Sequence, residues 1–264
     1  MRVTVLERKA DPGEKLHTTG IIVKDAIDQI ALLDGLPASL VRPIDGVRLY
    51  APSLRHVDLS APGYYFLATD TPNVMRWLAG RAQEAGACIA YRTPFASAAR
   101  SQGGFDLGEL GTARYIVGAD GPSSRVAKVF DLGHNRQFLF GVEHEYTGIE
   151  LRDPSYLHCF IDRRLARGYI GWIVAGVGVV QVGLAGRLRR GQMTATGAMG
   201  AFLEKIAPIA DFRHSTPASV RAGMFCFISR RLPMPSGRFH RTVPLVRSTS
   251  QSDSSLPSPT LRNT

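Results

Sequence analysis

Apolar positions follow two spacings along this chain, and the balance between them changes near residue 136. The first half mixes short alternating runs with helical ones. Val3–Leu6 reads as a strand, and Asp11-Pro12-Gly13 breaks it off. Ala26, Ile27, Ile30 and Leu33 share one helical face, predicting a helix over 26–33 that Asp34-Gly35 stops. Val47–Tyr50, Arg55–Leu59 and Tyr64–Leu67 alternate as short antiparallel strands, split by Ala51-Pro52-Ser53 and Ala61-Pro62-Gly63. Thr71 as N-cap and Pro72 at the first position open a helix with Val74, Leu78, Ala82 and Ala85 on its apolar face, ended by Gly86. Cys88–Tyr91 returns as a strand, and Phe95–Leu110 gives two more around Gly103-Gly104. Tyr115–Ala119 reads as a buried strand, feeding through Asp120-Gly121-Pro122-Ser123-Ser124 into a helix that reaches Phe130.

The second half is mostly strand. Phe138–Ile149, Tyr156–Ile161, Tyr169–Val174 and Val179–Gly186 have little helix between them, and a helix over 193–206 follows. The apolar run Ile170–Val182 is Val-rich and broken by Gly, as a buried strand pair would be. No internal repeat is visible. The pattern predicts an α/β part interrupted by antiparallel strands, followed by a β-rich part with one flanking helix.

Composition narrows the choices. The 264 residues are 44% hydrophobic, enough for one large or two small domains. No apolar stretch reaches the roughly 20 residues that span a bilayer. The N-terminus lacks the layout of a signal peptide. Cys88, Cys159 and Cys226 are too scattered for a metal site or a disulfide set, which makes a cytoplasmic location the expectation. The net charge of +10 raises the question of nucleic acid. Half of it, however, sits in 229–264, with six Arg and one acid among eight Ser and five Pro. Such a segment buries too little surface to offset its ordering entropy and is expected to be a disordered basic tail. The rest of the chain shows no basic stripe interleaved with aromatics, so nucleic acid is not an expected partner.

Two segments carry chemistry. Val3-Thr4-Val5-Leu6-Glu7-Arg8 is a strand ending in an acid, the place where a dinucleotide-binding sheet hydrogen-bonds the ribose; a plain solvated strand end gives the same pattern. A Gly-rich phosphate loop should precede that acid by about 20 residues, and only six residues precede it here. Tyr115-Ile116-Val117-Gly118-Ala119-Asp120-Gly121 runs from a strand into a helix start. Gly121 there allows close backbone approach, and the helix start offers N–H groups to an anion, or simply makes a turn and a cap. No Ser-His-Asp order, zinc spacing or close carboxylate pair stands out.

Together with the helix between them, these segments resemble the FAD-dependent oxidoreductases of the aromatic-hydroxylase superfamily. Gly168-Tyr169-Ile170-Gly171-Trp172-Ile173-Val174 with Val182-Gly183-Leu184 resembles the geranylgeranyl-reductase-like branch, which carries Tyr-x-Trp-x-Phe-Pro and then Val-Gly-x-Gly. The resemblance covers roughly residues 2–223. It departs by one extra residue between Tyr169 and Trp172, by Val174-Ala175 for Phe-Pro, and by Thr71 where many relatives place Arg, a role Arg76 could take over. It also places His17-Thr18-Thr19-Gly20 where prenyl reductases carry a Cys beside the flavin.

The resemblance implies a mixed α/β fold: an incomplete FAD-binding Rossmann-like sheet packed on an antiparallel β-sheet substrate part. The expected boundaries are 1–135 for the cofactor part, with antiparallel strands inserted at 44–68, then 136–228 for the substrate part, then the tail. It implies FAD, held by Glu7, Arg8, Thr18, Thr19, Gly20, Asp120 and Gly121, and NAD(P)H or another electron donor. It implies a small apolar or isoprenoid substrate against Tyr169 and Trp172, and peripheral membrane contact. The implied reaction is C=C reduction, with monooxygenation as the alternative within the class. Because a first strand and phosphate loop are missing ahead of Glu7, and a Gly-Asp-Ala-type segment is missing near the end, the chain is expected to be truncated at both ends. FAD and activity are therefore expected of the complete protein, while residues 1–264 alone are expected to bind FAD poorly or not at all and to be inactive; an inactive remnant that binds no cofactor is the alternative from another class. Strands 3–6 and 115–119 are expected to be near neighbours in one sheet.

Overall fold

A computed structural model describes residues 2–17, 19–133, 135–187, 195–226 and 245–247. In chain order the elements begin with β1 (Thr4–Leu6), β2 (Ile21–Val23), α1 (Lys24–Gln29), β3 (Val41–Ile44), β4 (Gly46–Tyr50), β5 (His56–Leu59), β6 (Phe66–Thr69), α2 (Thr71–Glu84) and β7 (Cys88–Ala90). Then come β8 (Ala99–Ser101), β9 (Gly104–Asp106), β10 (Thr112–Ala113), β11 (Tyr115–Val117) and α3 (Arg125–Val129). The remainder are β12 (Phe138–Tyr146), β13 (Tyr156–Phe160), β14 (Gly171–Ala175), β15 (Val180–Gly186), α4 (Ala195–Ile206), β16 (Ser219–Cys226) and β17 (Leu245–Arg247). The chain is a mixed α/β protein. It divides into two compact units, 1–94 with 135–231, and 95–134 with 232–264.

In the first unit, seven of the described strands form one sheet in the order β16-β12-β15-β14-β13-β4-β5. Its pairs are antiparallel except β13 with β4, which run parallel. Side chains alternate across a strand. Val142, Ile173, Val182 and Leu184 therefore share one face, and Met199, Phe202 and Ile206 of α4 pack against it. Gly171 makes that packing close, because a Cβ there would lie 2.7 Å from the Phe202 ring. A three-stranded antiparallel sheet, β2-β6-β3, sets Ile44 and Ala68 against Val174. Val174 pairs with Gln181 and so belongs to the opposite face of the large sheet. β1 pairs in parallel with β7.

The second unit holds the antiparallel sheet β10-β9-β8 and the pair β11-β17. Phe105, Ile116 and Val126 form its core, with Phe130 edge-on to Phe105 at 5.2 Å.

Several expectations change. β4 hydrogen-bonds β13, so residues 46–59 belong to the same large sheet as the strands of the second half, and the compact units divide at 94/95, 134/135 and 231/232. β1 and β11 lie in separate sheets, each satisfied by a different partner strand. Strand 115–117 buries only Ile116; Tyr115 and Val117 are 39% and 54% exposed. The helix expected over 26–33 is α1, followed by a 3-10 turn at Ala31–Gly35. Asp70, not Thr71, caps α2 by accepting from the Asn73 N–H at 3.3 Å. The Thr71 hydroxyl is engaged elsewhere, donating to the Thr19 carbonyl at 3.1 Å. Within the segment expected to be a disordered tail, Leu245–Arg247 pairs with β11; the rest of 227–264 lies outside the described residues, as do Thr18 and the first residues expected in the 193–206 helix.

A buried polar face as the candidate functional site

On β12, positions 142, 144 and 146 turn to the α4 side, so Glu143 and Glu145 turn to the other. The register lines up Arg221, Glu143, Gly183 and Trp172 on four adjacent strands. A Cβ on Gly183 would fall 2.3 Å from the Trp172 ring. The glycine therefore lets the indole lie across β15 and reach β12, where its Nε1–H donates to Glu143 Oε2 at 3.0 Å. Arg221 Nη2 pairs with Glu145 Oε1 at 2.7 Å, and Nη1 lies 3.5 Å from Glu143 Oε1. Gln181 Nε2 donates to Glu145 Oε1 at 3.0 Å.

Thr19 and Gly20 close onto this face. The Thr19 hydroxyl donates to Glu143 Oε2. The Thr19 carbonyl accepts from Gln181 Nε2 at 3.3 Å and from the Thr71 hydroxyl. Gly20 has φ +76°, and a Cβ there would lie 2.0 Å from Thr71 Oγ1 and 2.2 Å from Thr69 Oγ1, so only glycine fits. Gly223 on β16 makes similar room for His17, whose Cβ would be 2.7 Å from an added Cβ.

The face is polar and yet buried. Glu143, Glu145 and Gln181 are 4%, 9% and 1% exposed. Burial pushes the Glu143 carboxyl above the usual range, against the opposing pull of Thr19, Trp172 and the Arg221 charge. Gln181 Oε1 is buried with no hydrogen-bond partner among the described residues, and Glu143 Oε1 has the Arg221 guanidinium 3.5 Å away.

The sequence-derived candidates fall into three places. Thr19, Gly20 and Trp172 meet on the face just described. Glu7 ends β1 with its Oε1 accepting from the Lys9 N–H at 2.8 Å, and Arg8 beside it is exposed. Tyr169 precedes β14, is 45% exposed, and packs edge-on against Phe225 at 5.5 Å. Asp120 and Gly121 belong to the second unit. There Asp120 accepts from the Arg125 and Val126 N–H groups at 2.6 and 3.1 Å and from Ser124 Oγ. Partial burial raises its carboxyl, but those donors more than offset it and hold it below the usual range. The carboxylate thus already occupies the helix-start donors that an external anion would need. Arg76 is committed to Asp11 through Nε at 2.9 Å. Glu143, Glu145, Gln181 and Arg221 were not among the candidates; Glu-x-Glu on a strand, which puts two acids on one face, was the available signal.

Among the described residues no group of three or more His, Cys, Asp or Glu side chains could hold a metal, and no helix is long and apolar enough to cross a membrane.

No family model matches the chain, and no curated protein does. Solved structures do. A geranylgeranyl bacteriochlorophyll reductase-like protein from Thermoplasma acidophilum aligns over 85% of this chain and 60% of its own, at 15% identity and a TM-score of 0.71. A flavoprotein/dehydrogenase from Cytophaga hutchinsonii aligns over 84% and 60%, at 15% identity and 0.64. A probable FAD-dependent monooxygenase from Pseudomonas aeruginosa aligns over 70% and 54%, at 15% identity and 0.54. The chain spans about 60% of the length of the first two. Over that span, it has the mixed α/β fold of these proteins.

Proposed function

We propose that the protein is an FAD-dependent oxidoreductase that reduces a C=C bond of an isoprenoid or other apolar substrate. The fold shared with the reductase-like protein over 85% of this chain carries the proposal. The residues fit the cofactor in part. Glu7 stands at a strand end, and its Oε2, in no described hydrogen bond, is left for ribose hydroxyls. Thr19 and Gly20 are fixed in backbone position at a polar, water-poor face, as a group lying beside a flavin ring would need. Asp120 fits less directly, since its oxygens serve the α3 start.

When bound, FAD would supply hydride chemistry, with NAD(P)H or another donor restoring its electrons. The chain's own part would be to bind, orient and exclude water. Trp172 presents a flat wall backed by Gly183, with Cys159 and Leu49 in register beyond it on the same face. That succession suits a hydrocarbon chain better than a polar one.

The test is made on the complete protein: reconstitution with FAD, followed by anaerobic mixing of the reduced protein with a prenyl alkene. Yellow, stoichiometric flavin and flavin reoxidation coupled to alkene loss are expected. Absence of flavin uptake sinks the proposal and favours a remnant without cofactor. Reoxidation that requires oxygen and yields hydroxylated product favours the monooxygenase reading, which the similarity to the Pseudomonas aeruginosa protein supports.

A further inference from the structure

Two distant segments share one oxygen of one buried carboxylate. Glu143 Oε2 accepts from Thr19, 124 residues away, and from the Trp172 indole, 29 residues away. Removing a carboxylate from water is costly unless it is paired and hydrogen-bonded. Satisfying Trp172 alone would not require the acid to reach the loop as well. Nor would it require the Thr19 carbonyl to be held independently by Gln181 and Thr71. Thr19 is therefore gripped at its hydroxyl by Glu143 and at its carbonyl by Gln181, both from the large sheet, and also by Thr71, while Thr69 holds the Gly20 carbonyl at 2.9 Å. Arg221 orients the acid from β16, and Glu145 links Arg221 to Gln181.

We infer that Glu143 is a positioning residue that sets Thr19 and its backbone against the Trp172 side chain. What the positioned groups then do rests on the flavoprotein proposal: the spacing between loop and indole would fix how a substrate lies beside the cofactor. The clamp itself is a property of the flavin-free chain and is tested there.

The chain has two tryptophans, Trp77 and Trp172, so a Trp77→Phe background isolates the Trp172 emission. In that background, amide exchange of residues 15–20 and acrylamide quenching of Trp172 are read together. Glu143→Ala is expected to speed loop exchange by roughly tenfold or more, the opening expected when a charged hydrogen bond is lost. Thr19→Val keeps the carboxylate and does not touch the indole. It should nevertheless speed loop exchange and shift the Trp172 emission, and Thr19→Ser should restore both. The inference is overturned if Thr19→Val leaves the Trp172 emission at its parent value, or if loop exchange in Glu143→Ala matches the parent. Should Glu143→Ala fail to fold, the Thr19→Val and Thr19→Ser pair decides alone. Failure to bind FAD would count against the proposed function and leave these flavin-free readouts standing.

Discussion

The two faces of the large sheet are made by the same strands and solve opposite problems. Toward α4 the positions are Val142, Ile173, Val182 and Leu184 under Met199, Phe202 and Ile206. This is ordinary close packing, in which each methylene contributes and none needs a partner of a given polarity. On the reverse face the positions are Glu143, Glu145, Gln181 and Arg221, nearly as buried as the core. There the arrangement depends on every donor finding an acceptor, and among the described residues Gln181 Oε1 is buried without a hydrogen-bond donor. One face holds the sheet together; the other holds particular atoms in place.

The largest effect should come from the apolar face. Phe202→Ala removes a ring stacked edge-on to Phe160 at 5.2 Å and should cost about 4 kcal/mol by denaturant melt, within the range for buried Phe truncation. A loss under about 1 kcal/mol would mean that the α4 face is not a packed core. Arg221→Met leaves two buried acids without their cation and should cost about 3 kcal/mol at neutral pH. Part of that loss should return on acidification, as the acids take up protons. Gly183→Ala forces the Trp172 ring off β15 and should cost about 2 kcal/mol while reddening the Trp172 emission.

The pH dependence sharpens the contrast further. The Glu143 carboxyl is raised in the folded chain, so its contribution to stability is greatest below the ordinary Glu pKa and falls as pH rises through its folded value. Glu143→Gln should flatten that slope in melts run from mildly acid to neutral pH. The smallest effect belongs to the sheet's edge. Val57 on β5 is 51% exposed, and Val57→Thr should change stability by less than about 0.5 kcal/mol.

The apolar face was legible in the sequence because its signal is local. Long alternating runs over 138–149, 156–161 and 179–186 correspond to β12, β13 and β15, and Ile170–Val182 is the antiparallel pair β14-β15. The polar face was not legible. In a two-period strand, Glu143 and Glu145 read as the solvent side, and segments distant in sequence – Thr19, Arg221 and the β2-β6-β3 sheet packed on the same face – make it an interior. β3 escaped for another reason: Pro43 interrupts the strand pattern, which an edge strand pairing only with β6 tolerates. Thr71 shows the same limit at one residue. Either Asp70 or Thr71 could cap α2, and a contact with Thr19 assigned the hydroxyl to the loop instead.

The parallel pairing of β4 with β13 has a consequence in time. Tyr50 meets His158, 108 residues later, through its hydroxyl and the imidazole Nδ1 at 3.0 Å. During synthesis the β4-β5 hairpin therefore emerges well before the strand that will cover its open edge. At about 5–20 residues per second, that wait is roughly 5–20 s. Over that interval the hairpin carries an unpaired backbone edge along β4. The sheet cannot close until β13 arrives, so β4 should stay open to hydrogen exchange in nascent chains that end before residue 156 and become protected once residues 156–160 are present.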